Sequence, residues 1–382
     1  MWVEPFSLPL RSPLETARGP IAERRGFLVG FDLDERVEGH KIDGSDTVDE
    51  IADDTDSRVD DGISGIGEAT PLPGWTESYT ECERALAAFA TAETEPKTAP
   101  DTHPAAAHAL ELARLDARGR HSRTPLATLL RRTVFADDTA SAPARVSVNA
   151  TVGDADPETT AERALVAVDA GYDCLKCKVG VRDLDADVRR LRAVREAVDD
   201  DVAIRADANG AWDRPTAMRA VEAATELGLD YLEQPLAAND LAGHRQLRGR
   251  GVNIAVDESL TQSTIGDVID ADAADVVVLK PMALGGPLQA TRAAKAAIDA
   301  AIDPVVTTTI DAVVARTAAV HVAAAIPDIS PCGVATGSLL AADLAADPVV
   351  IENGEAHVPA GGGLCGDGFA AIRETRKTLD ER

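Results

Sequence analysis

Five short apolar runs, each carrying a charged residue at its end, recur between Leu175 and Lys280 and leave few folds open to this chain. They are LKCKVG at Leu175–Gly180, RADANG at Arg205–Gly210, YLEQP at Tyr231–Pro235, AVDES at Ala255–Ser259 and VVVLKP at Val276–Pro281. Their spacing of about 25 residues is that of one strand–helix unit in a parallel barrel of eight such units. A charge at the end of a buried parallel strand is costly unless it has a partner or a task. Five in succession place Lys178, Asp207, Glu233, Asp257 and Lys280 around one mouth.

The residue types suggest the chemistry. Three carboxylates from adjacent strands, with no Cys or His among them, form a hard oxygen cage suited to Mg²⁺. Lysines on either side of that cage can face a substrate held on the metal. Lys176 and Lys178 are two apart on one strand, so both point into the barrel. A neighbouring ammonium disfavours a second one, which lowers a lysine's pKa toward what a general base needs. Of the seven lysines, Lys41, Lys97, Lys176, Lys178, Lys280, Lys295 and Lys377, three stand at these strand ends; every other cation is arginine, which cannot serve as such a base. A Schiff-base aldolase barrel would also use a lysine, but would not need three carboxylates on adjacent strands.

In order and spacing, K-x-K, D-x-N, E-Q-P, D-E-S and K-P resemble the enolase superfamily, in its muconate-lactonizing-enzyme subgroup. The resemblance covers nearly the whole chain. It implies that Asp207, Glu233 and Asp257 bind Mg²⁺, that Lys178 removes a proton α to a carboxylate, that Lys280 stays charged across the site, and that Lys176 tunes Lys178. It also implies substrate contacts or support from Arg205, Asn209, Thr308, Gly285 and Gly286, with Glu258 orienting groups around the metal. Within the subgroup, TTTIDAVVARTAAVHVAAAIP at Thr307–Pro327 and GVATGSLLAADL at Gly333–Leu344 resemble segments of members that dehydrate a cyclohexadiene carboxylate in menaquinone biosynthesis. Three departures stand out: Thr for Ser, Asp311 for Glu, and Arg316 where a small residue often sits. Racemases, dipeptide epimerases and cycloisomerases share the same catalytic set. The absence of an acid in CGVATGSLL (Cys332–Leu340) counts against an epimerase. From another class, a catalytically dead barrel acting as an acidic binding module would have lost a strand-end residue, and none is lost.

The expected architecture is α/β: a modified TIM barrel, (β/α)7β, over residues 144–344. An N-terminal α+β capping domain spans 1–143, and the segment 345–382 returns to complete it. In the cap, Phe6–Leu10 and Arg25–Phe31 read as antiparallel strands, and GIGEATPLPGWTES (Gly65–Ser78) as a strand followed by a turn. By resemblance, Leu10–Arg24 and Pro71–Trp75 close over the mouth and help choose the substrate. The acidic stretch 40–62 reads as a solvated insertion, without the ligand spacing of a calcium loop. Helices are expected over Thr76–Thr94 and Pro104–Leu130, the latter broken near Gly119–Pro125, with His108 and Asp116 in core or capping roles. The barrel is expected to begin at Arg145–Ala150 and to close weakly near Cys332–Ala335.

The formal charge of −27 excludes a general nucleic-acid binder and argues against anionic lipid. Acidity with so little lysine looks like adaptation to a salty interior, where screening relieves self-repulsion. No signal peptide or membrane span is expected. The five scattered cysteines suit a reducing cytoplasm, and Cys174 and Cys177 face opposite sides of a strand and so cannot pair there. The expected partner is a small-molecule carboxylate, with homo-oligomer formation compatible.

Overall fold

The computed structural model describes residues 1–14, 19–32, 64–91, 102–137 and 141–373. It opens with an antiparallel sheet of β1 (Trp2–Leu14), β2 (Ile21–Asp32) and β3 (Ser64–Ala69), in that order. Helices α1 (Tyr79–Thr91), α2 (Pro104–His121) and α3 (Leu126–Phe135) follow. The acidic stretch 40–62 and residues 15–18 of the first cap loop lie outside the described residues. Gly65 and Gly67 of β3 let α2 approach closely, since a Cβ on either would lie about 2 Å from the carbonyl oxygens of Ala113 and Ala109. One continuous helix over Pro104–Leu130 was not expected, and the chain does break between His121 and Leu126.

RVSVNA proves to be two strands rather than one. β4 (Arg145–Ser147) pairs with a C-terminal hairpin, and β5 (Ala150–Val152) starts the barrel. The chain then alternates through α4 (Pro157–Asp169), β6 (Cys174–Lys178), α5 (Leu184–Ala197), β7 (Ala203–Asp207), α6 (Arg214–Glu226), β8 (Tyr231–Glu233), α7 (Leu241–Leu247), β9 (Asn253–Val256), α8 (Ile265–Asp270), β10 (Val276–Leu279), α9 (Pro287–Asp299), β11 (Asp303–Val306) and α10 (Val313–Ala325). The seven strands β5 to β11 form one parallel sheet in chain order. Single parallel bridges, Val148 to Cys332 and Thr307 to Gly333, join its two edges in place of an eighth strand. The hairpin β12 (Ile351–Glu352) and β13 (Glu355–His357) then completes the small sheet with β4. The last described segment returns to α2 and α3: Leu364 N donates to Asp116, and Leu126 N to the Gly363 carbonyl.

Aspartate starts most barrel helices. Asp156, Asp183, Asp213 and Asp240 each accept a hydrogen bond from the backbone N–H three residues on, and Thr264 with Asp267 forms a capping box. These acids thus sit where helix N-termini favour them. Two barrel helices lack a side-chain cap of their own: α9 begins after Gly286 and α10 after Ala312. Here the N-terminal layer supplies most of the acceptors, and Asp343 takes Val313 N at 2.9 Å. Glu111 of α2 takes Leu288 N at 2.7 Å, and Glu68 of β3 takes Ala312 N and Ala315 N, both at 2.8 Å. Missing local caps therefore mark where the cap docks on the barrel.

The core is aliphatic. Helix α10 is buried on every side, and Arg316 and His321 on it are both satisfied. Arg316 pairs with Asp343 at 2.8 Å and Asp347 at 2.6 Å, with Gly337 against its guanidinium. The unusual arginine is thus matched by acids from the chain after the barrel. His321 accepts from Ala127 N through Nδ1, and its Nε2 lies 2.6 Å from the Leu364 carbonyl, which assigns the proton to Nε2. All five cysteines are free. Among the described residues no helix is long and apolar enough to cross a membrane.

Candidate active site

Strand register sets out the site. Lys178, Asp207 and Glu233 lie side by side across β6, β7 and β8, at the C-terminal ends of these strands. Asp257 and Lys280 immediately follow β9 and β10. The order across the rim is therefore amine, acid, acid, acid, amine. Lys178 Nζ stands 2.6 Å from Asp207 Oδ2 and 3.0 Å from Asn209 Oδ1. Lys176, one layer deeper, bridges Asp207 at 2.9 Å and Glu233 at 2.7 Å. At the far end Lys280 Nζ lies 2.6 and 2.5 Å from the two oxygens of Asp257.

The electrostatics follow from burial opposed by these ammonium groups. For Lys176, burial favours the neutral amine, but Asp207 and Glu233 outweigh it and hold the pKa well above the ordinary lysine range. Lys176 therefore stays charged beside Lys178, as a tuning role requires. Burial would raise Asp207, yet Lys176 and Lys178 hold it far below the usual carboxylate range. Glu233 goes the other way: burial first, then the Asp207 charge, push it up to about 7. Burial also outweighs Lys280 at Asp257, which rises to about 6.

Among the described residues no three acid, Cys or His side chains are drawn together as closely as a bound metal requires; lysine ammonium groups occupy the carboxylate oxygens instead. The donor set nonetheless fits a hard divalent cation. It offers oxygen only, from three adjacent strand ends. Glu233 Oε2 is buried with no hydrogen-bond partner, and such an atom is costly until something engages it. Beyond burial, the Asp207 charge helps raise Glu233, and a cation between the acids would reverse that contribution.

Two motif residues brace the rim. Asn209, at positive φ (46°), holds Lys178 with its carbonyl and gives its amide to Glu258 Oε1 at 2.9 Å. Gln234, also at positive φ (40°), accepts from Asp257 N and Ser259 N and so fixes the D-E-S corner. That task for Gln234 was not anticipated, although its place in E-Q-P was the available signal. Arg190, buried on α5, is a second unanticipated brace, donating to the Lys178 carbonyl.

The other expected substrate residues fall at different places, and Arg205 is turned away from the mouth. Arg205 faces the opposite end of the barrel, bonded to Asp230 at 2.9 Å and the Pro331 carbonyl at 2.6 Å, with Tyr231 under its guanidinium. Gly286 packs against α2, where a Cβ would lie 2.1 Å from Glu111 Oε1. Gly285 adopts φ 85° in the turn leading to α9. Thr308 does reach the rim, where its hydroxyl lies 2.8 Å from Thr336 Oγ1 and accepts from Ile310 N.

A capped parallel barrel with acids on three successive strand ends between lysines defines a class of enzyme. The family model "Enolase C-terminal domain-like" matches residues 159–366, and the chain belongs to the enolase superfamily, in its muconate-lactonizing-enzyme subgroup. It is 40% identical over 214 residues to the o-succinylbenzoate synthase of Thermobifida fusca, covering 55% of this chain and 65% of that one, somewhat under two thirds of the relative's length. The N-succinyl-L-Arg/Lys racemase of Bacillus cereus is 27% identical over 83% of this chain and 81% of its own; its crystal structure superimposes with a TM-score of 0.78 at 25% identity, over 95% of this chain and 93% of that one. A dipeptide epimerase from Methylococcus capsulatus, complexed with Mg and L-Arg-D-Lys, gives a TM-score of 0.76 at 25% identity, over 95% of this chain and 98% of that one.

Proposed function

We propose that the protein is a Mg²⁺-dependent o-succinylbenzoate synthase, dehydrating 2-succinyl-6-hydroxy-2,4-cyclohexadiene-1-carboxylate to 2-succinylbenzoate in menaquinone biosynthesis. The observation that carries this reading is the row Lys178, Asp207, Glu233, Asp257, Lys280 across five consecutive strand ends. The 40% identity to a synthase, over a region containing 55% of the chain, supports dehydration among the subgroup's reactions.

In this reading Asp207, Glu233 and Asp257 hold Mg²⁺, which when bound supplies positive charge for the substrate carboxylate. Lys178 takes the α-proton, with the charged Lys176 held one layer deeper between Asp207 and Glu233. Lys280 faces the negative charge that develops as the proton leaves. The Lys178 ammonium then returns the proton to the departing hydroxyl, so water leaves from the same face and the ring becomes aromatic. Asn209 aims Lys178 throughout. We also place the domain divisions at 1–143, 144–344 and 345–382.

The test is an absorbance or NMR assay in high salt with the cyclohexadiene acid, beside an N-succinyl amino acid. Turnover should vanish with EDTA and return with Mg²⁺. Racemisation of the succinyl amino acid without dehydration would instead support the second reading, an N-acylamino-acid racemase, which the match to the B. cereus enzyme over 83% of the chain favours. Turnover indifferent to EDTA would refute both.

The charge of −27 carries a further expectation. Salt in the molar range should be needed for folding and activity, because at such ionic strength the Debye length falls to about 3 Å and self-repulsion is screened. Full helical circular dichroism and full turnover in dilute buffer would refute it.

A further inference from the structure

The Lys280 ammonium has a second partner that the catalytic row does not account for. Its Nζ lies over the ring of Trp75, 3.2 Å from the centroid. Trp75 comes from the N-terminal layer, in a turn closed by its own bonds: Trp75 N and Thr76 N both reach the Leu72 carbonyl at 2.9 Å, and Leu72 N reaches Thr76 Oγ1 at 2.8 Å. Arg24, buried on β2, pins the base of the turn. It donates to the carbonyls of Thr70 at 2.8 Å and Pro71 at 3.3 Å, and its Nε reaches the Ile310 carbonyl on the barrel rim at 3.1 Å. The indole is thus aimed at Lys280 by a built structure.

We propose that Trp75 is a positioning residue for Lys280, holding the ammonium in place at the mouth. The proposal rests on the catalytic reading of Lys280 given above, and assigns Trp75 a task different from substrate selection. A lysine side chain is long and rich in rotamers, so an amine that must meet developing charge at one point needs to be held. Asp257 alone is a poor anchor for that purpose, because a cation shared with Asp207 and Glu233 would compete for the same oxygens. An aromatic face attracts the cation without accepting its protons in conventional hydrogen bonds. The N–H donors stay available, and the ring shields that side of the ammonium from water. The contact also crosses from cap to barrel, so Lys280 is correctly placed only when the Pro71–Trp75 turn is seated.

Two measurements test this independently. Trp75 is one of three tryptophans, and its emission is isolated as the difference between wild type and Trp75→Phe. The same difference taken in a Lys280→Met background should show altered intensity and emission maximum, because the ammonium no longer lies against the indole. An unchanged difference overturns the contact, and this readout needs no substrate. In steady-state kinetics with Mg²⁺, Trp75→Leu should lower kcat by roughly 10- to 50-fold, the range of a desolvated cation–π contact, with KM within about threefold of wild type. Trp75→Phe, which keeps an aromatic face, should restore most of kcat. A raised KM at unchanged kcat would make Trp75 a substrate wall and overturn the proposal. If wild type dehydrates or racemises none of the acids tried, the functional reading fails, while the fluorescence cycle still decides whether the indole holds Lys280.

Discussion

Lys178→Ala should reduce turnover by roughly 10⁴-fold, to the assay background, while leaving the fold intact. Three lysines line the acids, and their exposure separates their tasks. The Lys176 side chain is 14% exposed and lies between Asp207 and Glu233; that of Lys280 is 10% exposed and is taken up by Asp257 and Trp75. The Lys178 side chain is 37% exposed, and of the three it is the amine that reaches the open side of the mouth. Its deletion leaves Asp207 still paired with Lys176, so no buried carboxylate is stranded and thermal stability should change little. Lys178→Arg should be as inactive as the alanine variant, because a guanidinium keeps the charge but gives up no proton at neutral pH. Substrate affinity, measured by equilibrium binding, should persist in both. If Lys178→Ala turned over within tenfold of wild type, another group would be the base.

What could be read in advance, and what could not, divides along the range of the interaction. The strand ends were legible because each motif is local: an apolar run, a charge, and a spacing that only a repeated strand–helix unit explains. The aspartate caps of α4 to α7 are equally local. Arg205 shows where such reading stops. Its parity with Asp207 puts it inside the barrel, but parity is the same for a side chain leaning toward the rim and one leaning toward the floor; Asp230 and the Pro331 carbonyl decide for the floor. Val148 and Asn149 break RVSVNA because the neighbour at one edge is Cys332, a pairing that β-propensity cannot foresee. Gly286, expected at the substrate, also packs against Glu111, 175 positions earlier in the chain, a contact no local pattern shows. A signal for that docking did exist: α9 and α10 begin without Ser, Thr, Asn or Asp at the cap, so their free N–H groups had to find acceptors elsewhere. The structure finds them in Glu111 and Glu68, with Asp343 taking Val313 N.

The second large effect concerns stability and centres on Asp116. It is fully buried on α2 and joins three parts of the chain: its carboxylate accepts from Ile66 N of β3 at 3.0 Å, from Leu364 N of the returning segment at 2.9 Å, and from Arg373 at 2.7 Å. Arg373 is itself buried. Asp116→Ala would leave a guanidinium and two backbone donors without their acceptor, and the cost of breaking a buried ion pair on one side is about 3–5 kcal/mol. That is a large share of the roughly 5–15 kcal/mol that holds a typical native state together. Urea unfolding in high salt should show a lowered midpoint for Asp116→Ala. Asp116→Asn should cost less, since its carbonyl oxygen can still accept from one donor. The double variant Asp116→Ala/Arg373→Leu should recover part of the loss, because it no longer strands a buried charge. A single Asp116→Ala variant within about 1 kcal/mol of wild type would mean that water reaches Arg373 and that this junction contributes little.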